Sequence, residues 1–178
     1  LYSQVTLTPR ISYNWANYRL NDCFSIPCPN TRSNIAIGLN ATKCIYKELS
    51  FVTGINFYVN KVSYPEESLR VGNQDFKHFD IKFGFENSIF NEKTIVGMGI
   101  QLEVMYDVKD INNRTGEIIS YPNHRYFGSE FTVSHKFKRV ELFFDAFFNF
   151  NIPSPNRLSL LYHHNLQIGI GIPLEVDK

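Results

Sequence analysis

The chain is 178 residues long, the size of one domain, and contains no run of about 18 apolar residues able to cross a membrane as a helix. A formal net charge of +1, with the basic residues scattered, gives no electrostatic basis for nucleic-acid binding. Hydrophobic residues make up 43%, and 16 Phe, 10 Tyr and 1 Trp favour strands, where apolar side chains are diluted one in two.

Leu1–Gln4 is expected to be the tail of an export signal, with Ser3 as the small residue before the cut. From Val5 onward, eight segments alternate with period two, the pattern of strands with two unlike faces. Segment one, Val5–Tyr18, sets Val5, Leu7, Ile11, Tyr13 and Trp15 against Thr6, Thr8, Arg10, Ser12 and Asn14. Segment two, Asn34–Thr42, sets Ile35, Ile37 and Leu39 against Ala36, Gly38 and Asn40. Segment three, Glu48–Lys61, sets Phe51, Ile55 and Phe57 against Ser50, Gly54, Asn56 and Tyr58. Segment four, Lys77–Glu86, sets Phe79, Ile81, Phe83 and Phe85 against Asp80, Lys82, Gly84 and Glu86.

Segment five, Thr94–Val108, is the clearest. Met98, Ile100, Leu102 and Val104 share one face; Gly97, Gly99, Gln101 and Glu103 share the other, with Ile95 and Met105 as its apolar exceptions. Segment six, Arg125–Phe137, sets Phe127, Phe131 and Val133 against Gly128, Glu130, Thr132 and Ser134, and its apolar face is interrupted by Ser129 and His135. Segment seven, Arg139–Ile152, sets Leu142, Phe144, Ala146 and Phe148 against Glu141, Phe143, Asp145 and Phe147. Segment eight, Asn165–Val176, sets Leu166, Ile168 and Ile170 against Gln167, Gly169 and Gly171.

The connections alternate in length. Long ones rich in Pro, Gly, Asn, Asp and Ser follow the odd segments, around Asn21–Ser33, Val62–Phe76, Lys109–His124 and Pro153–His164. Short ones follow the even segments, around Cys44–Lys47, Asn87–Lys93 and Lys138–Arg139. This is the plan of an eight-stranded antiparallel up-and-down transmembrane β-barrel, with short periplasmic turns and longer extracellular loops, in a single domain over residues 1–178.

Which face points outward follows from bulk. An eight-stranded interior is only just wide enough for side chains. The Phe- and Ile-rich faces are therefore expected to meet lipid, through Phe51, Phe57, Phe83, Ile100 and Leu102, and through Phe144, Phe148, Ile168 and Ile170. The glycine-rich faces leave room for an interior charge network in which Arg10 and Lys82 pair with Glu86, Glu103, Glu130, Glu141 or Asp145. A soluble lipocalin-like ligand-binding barrel is the alternative, with the faces reversed. Aromatic girdles are expected at two levels: Tyr13, Trp15, Tyr18, Tyr106, Tyr126 and Phe127 near the long loops, and Tyr46, Phe85, Phe90 and Phe137 near the short turns.

The Phe/Ile alternation, FVTGINFYVNK at Phe51–Lys61 and NLQIGIGIPLEV at Asn165–Val176 resemble the small outer-membrane barrels of the OmpA/OmpX type, and in texture those of Bacteroidota. Family members often end the last strand in an aromatic residue; this chain has Ile172, Leu174 and Val176 there. The resemblance implies residence in the bacterial outer membrane, contact with its lipid and a protein partner in a larger secretion, uptake or assembly complex.

Candidate chemistry is sparse. Cys23 and Cys28 sit close together in a turn-rich stretch, where they form a disulfide in an oxidising compartment or remain two free thiols; Cys44 stands alone. No CxxC spacing suggests zinc, and no cofactor motif is present. Some barrels of this resemblance act on lipid A through a Ser/His/Glu arrangement. Here Ser134, His135, His163 and His164 are the candidates, but Ser134 and His135 have opposite parity and the other pair lies at the long-loop end. The expectation is a non-enzymatic barrel.

Overall fold

The computed structural model describes residues 5–19, 30–31, 34–63, 73–89, 93–111, 115–116, 118–121, 124–150 and 162–176. The alternating segments become eight long strands. β1 (Val5–Arg19), β2 (Asn34–Tyr46), β3 (Leu49–Ser63) and β4 (Asn73–Ile89) are followed by β5 (Thr94–Ile111), β6 (His124–Phe137), β7 (Val140–Asn149) and β8 (Tyr162–Gly171). Each pairs antiparallel with the next. β8 returns to β1, from Arg10 opposite Gly171 to Arg19 opposite Tyr162. The sheet therefore closes on itself, which satisfies backbone groups that lipid cannot. Asn30–Thr31 adds to the loop end of β3, and Ile118–Tyr121 to the loop end of β5.

Strand bounds differ from the side-chain pattern where pairing outlasts alternation. β2 runs on to Tyr46 through an irregularity at Cys44/Tyr46, so its turn is Lys47–Glu48 rather than Cys44–Lys47. β4 starts at Asn73, not Lys77, and extends to Ile89; β5 reaches Ile111 over 18 residues. The last strand is broken at Ile172–Pro173, because proline has no N–H to give the ladder. The Ile172 N–H donates to the Pro9 carbonyl at 3.0 Å, and Leu174–Val176 then rejoins β1.

The faces have the sense of a membrane barrel. Leu102 is 38% exposed on the outside while its neighbour Glu103 is 0% exposed inside. Lys82, His78, Glu103 and Asp80 are among the largest fully buried side chains. A water-soluble barrel would not bury these groups and expose rows of Phe and Ile, so the lipocalin-like alternative falls. Phe57, Phe83, Ile100, Leu102, Phe144, Phe148, Ile168 and Ile170 all stand exposed on the outer face. Phe51 is half-buried, its ring edge-on to Phe85 at 5.7 Å. Ile95 and Met105, the apolar exceptions of β5, are buried inside.

Candidate functional site

Among the described residues buried charge gathers in the lumen, and glycines create the space for it. A Cβ at Gly54 would stand 2.9 Å from Lys82 Cε, and one at Gly97 would stand 2.8 Å from Glu86 Cγ. Gly84 and Gly99 face each other across β4 and β5, so closely that a Cβ on either would lie 2.9 Å from the other's Cα.

At mid-height the lumen is filled by ion pairs. Arg10 Nη1 donates to Asp145 Oδ2 at 2.9 Å, and Arg10 Nη2 lies 3.8 Å from Glu141 Oε1. The guanidinium sits 3.3 Å above the Phe143 ring centre, a cation–π contact away from water. Lys82 Nζ donates to Glu130 Oε1 at 2.8 Å and reaches Asp145 Oδ2 at 3.5 Å. Asp145 thus joins the two cations into one layer.

Glu103 is not part of that layer, which corrects the single network expected for it. The β4–β5 register sets it opposite Asp80, one inward position nearer the loops than Lys82. There it accepts a hydrogen bond from Tyr58 Oη at 3.0 Å and pairs with His78 Nδ1. The His78 ring stacks on Tyr58, with centroids 4.6 Å apart and planes 8° apart, and Asn165 Nδ2 donates to Tyr58 Oη at 3.2 Å. Tyr58, His78 and Met105 are at most 1% exposed, so this cluster is buried in the loop half of the lumen. His78 was missed as an interior residue, although it shares the parity of Asp80 and Lys82. Glu86 also stands apart: it turns toward the short-turn mouth, and no ion pair reaches it among the described residues.

Other candidates separate. Ser134 is buried inside the wall, while His135 faces the other way and contacts Thr94 Oγ1 at 3.0 Å and the Phe137 ring at 4.5 Å. Ser134 lies opposite Phe143 and His164 opposite Phe148, roughly 17 Å apart along the strands at about 3.4 Å per residue. That distance is too long for a nucleophile and its base. No group of three or more His, Cys, Asp or Glu suited to a metal ion occurs among the described residues. Cys23 and Cys28 lie outside the described residues; Cys44 is a free, exposed thiol donating to the Lys47 carbonyl at 3.2 Å.

The girdle residues are mostly outward. Tyr13 and Trp15 are exposed and meet edge-on at 4.7 Å; Phe57 and Tyr106 are 6.3 Å apart; Tyr46, Phe85, Phe127 and Phe137 are exposed. Tyr126 is the correction. It lies opposite Glu103 and shares the inward parity of Gly128 and Glu130, so it does not join the belt. Phe90 and the Tyr18 side chain lie outside the described residues.

No family model and no curated protein sequence matches the chain. Solved structures do. Neisserial surface protein A is similar with a TM-score of 0.56 at 13% identity, over 97% of each chain. Ail, the attachment invasion locus protein of Yersinia pestis, has a TM-score of 0.54 at 10% identity, over 98% of this chain and 100% of that one. The outer membrane protein OprG from Pseudomonas aeruginosa has a TM-score of 0.57 at 9% identity, over 97% and 95%. At these identities the likeness is one of fold, and it agrees with the closed sheet, the apolar exterior and the charged interior: the chain folds as an eight-stranded outer-membrane β-barrel of the OmpA/OmpX kind.

Proposed function

We propose that this protein is a non-enzymatic barrel of the bacterial outer membrane, a single domain over residues 1–178 that acts through its outer surfaces as an adhesion element or accessory subunit of a larger envelope complex. The observation that carries this reading is the ion-pair plug across the lumen. Arg10, Lys82, Glu130 and Asp145 occupy its middle, and Tyr58, His78 and Met105 are buried above them. A solute path and a catalytic set are then both poor explanations, and the long loops remain as the working surface. The likeness of fold to Ail, whose name is that of an attachment and invasion protein, supports the adhesion form. The texture shared with Bacteroidota barrels supports the subunit form.

Purification in mild detergent after cross-linking of native cells tests the reading. A defined protein or surface ligand held through the loops is expected, together with a flat baseline in planar-bilayer recordings. A lone monomer with regular conductance steps would overturn it.

A further inference from the structure

On β4, β5 and β6 the lipid-facing rows end in hydrogen-bond donors. Going toward the loops, the last apolar outward residues are Phe79, Val104 and Phe127, and the next outward ones are Lys77, Tyr106 and Arg125. On β1 and β2 the outward residues near the loops are Tyr13, Trp15 and Ile35 instead. Lys77 lies opposite Tyr106 and Arg125 opposite Val104, so the two cations flank β5 on one outer face. Strand spacing and rise put their Cα atoms roughly 12 Å apart, a gap that two long side chains bridge from either side. Both are exposed, and Tyr106 between them is half-buried, its ring 6.3 Å from that of Phe57.

Arg125 carries the argument. Its neighbours on this face are apolar, with Phe127 one outward step toward the membrane and Val104 across the ladder. No ion pair or hydrogen bond engages its guanidinium among the described residues. A cation on the lipid side of a barrel wall is unfavourable unless an anion meets it. The wall does not supply one: the carboxylates of β4–β6 whose side chains are described, Asp80, Glu86, Glu103 and Glu130, belong to the lumen. Loopward of the rim, Asp75 stands in register between Lys61 and Lys109, with a cation of its own on either side. An occupant must therefore be apolar where it meets Phe57, Phe79 and Val104, and anionic where it meets Arg125 and Lys77.

We propose that this rim binds the phosphate of an outer-leaflet lipid, with the Arg125 guanidinium as its two-pronged donor and the Lys77 ammonium and Tyr106 hydroxyl beside it, while the acyl chains lie along Phe57, Phe79 and Val104. The proposal rests on the membrane-barrel reading given above. A guanidinium fork matches two phosphate oxygens, and an ammonium and a phenol add further donors. Basic groups at the edge of a membrane-spanning surface draw anionic headgroups by the same attraction.

Amide NMR of the full chain in neutral-detergent micelles, titrated with dodecyl phosphate, tests this. Saturable shifts centred on Lys77, Tyr106 and Arg125 are expected, with none of comparable size from dodecyl phosphocholine or inorganic phosphate. Arg125→Gln should weaken the apparent affinity by about threefold or more, and Arg125→Lys by less, because it keeps the charge and loses the fork. Lys77→Gln should also weaken it. Heat-modifiable migration separates the two readings: a chain without the compact band counts against the barrel, whereas a chain that keeps it and shows no saturable shift counts against the lipid site alone. Equal shifts with inorganic phosphate, shifts spread around the whole rim, or an affinity that Arg125→Gln leaves unchanged would overturn the proposal.

Discussion

Lys82 joins Glu130 to Asp145 and, through Asp145, to Arg10. Its ammonium is 2% exposed, so removing it leaves two carboxylates in low dielectric with one cation between them. Breaking a buried pair in this way costs about 3–5 kcal/mol, whereas removing both partners costs far less. Lys82→Met should therefore lower the unfolding free energy in lipid vesicles by about that amount, and adding Glu130→Gln should restore part of it. If the two losses simply add in urea titrations, the 2.8 Å contact carries no coupling energy. Gly54→Ala acts on the same residue from the adjacent strand, where Gly54 lies opposite Lys82, since the new methyl meets Lys82 Cε as well as Asn40 Oδ1. A loss of about 1–3 kcal/mol is expected, and it should shrink when Lys82 is already Met. The residue types in this layer were legible from parity alone. Their partners were not, because pairing depends on inter-strand register. Glu103 and Lys82 share the lumen, but the register sends Glu103 to His78 and Tyr58.

At the scale of the strand, period two separated the two faces of all eight, and the bulk of the Phe- and Ile-rich face decided which of them points outward. β5 shows why: with one face small or polar and the other apolar, a slip of one residue would turn every side chain to the wrong medium. Leu102→Arg tests that orientation. It puts a charge on the lipid side of β5 and should impair folding into bilayers by about 2–4 kcal/mol if it lies at the midplane. Insertion at the native yield would mean that this face does not meet lipid. Strand ends were less legible, because pairing continues past the hydrocarbon into stretches such as Asn73–Phe76 and Cys44–Tyr46, where polar and apolar residues no longer alternate cleanly. The turn at Lys138–Arg139 stands where it was expected, the first turn is Lys47–Glu48 rather than Cys44–Lys47, and the strain of both was not foreseen. Lys47 and Lys138 hold φ of 45° and 47°, at the first of two turn residues, where a type II′ hairpin prefers glycine. Lys138→Gly should raise the urea midpoint, by about 0.5–1 kcal/mol in stability, because it removes the left-handed strain of a residue with a Cβ. An unchanged midpoint would mean that the turn relaxes without cost.

For the whole molecule, everything above depends on closure, and closure depends on one seam. Seven of the eight strand pairs join neighbours in sequence; the pairing of β8 with β1 joins the two ends of the chain and so carries the largest loop-closure cost. Gly169 lies at this seam, opposite Ser12 on one side and Phe143 on the other. A Cβ there would stand 2.6 Å from Ser12 Cβ and 2.7 Å from the Phe143 ring, as well as against the Ile11 carbonyl. The Phe143 ring is also the one beneath Arg10, so pressure at the seam is passed to the ion-pair layer. Gly169→Val should therefore damage closure and plug together, lowering stability by more than the roughly 1–3 kcal/mol of ordinary overpacking. Ile168→Val, one residue away on the exposed outer face, should cost well under this because lipid tolerates the missing methylene. In unheated SDS gels the Ile168 variant should keep the compact, heat-modifiable band and the Gly169 variant should lose much of it. Equal behaviour of the two variants would mean that the seam is not what holds the barrel shut.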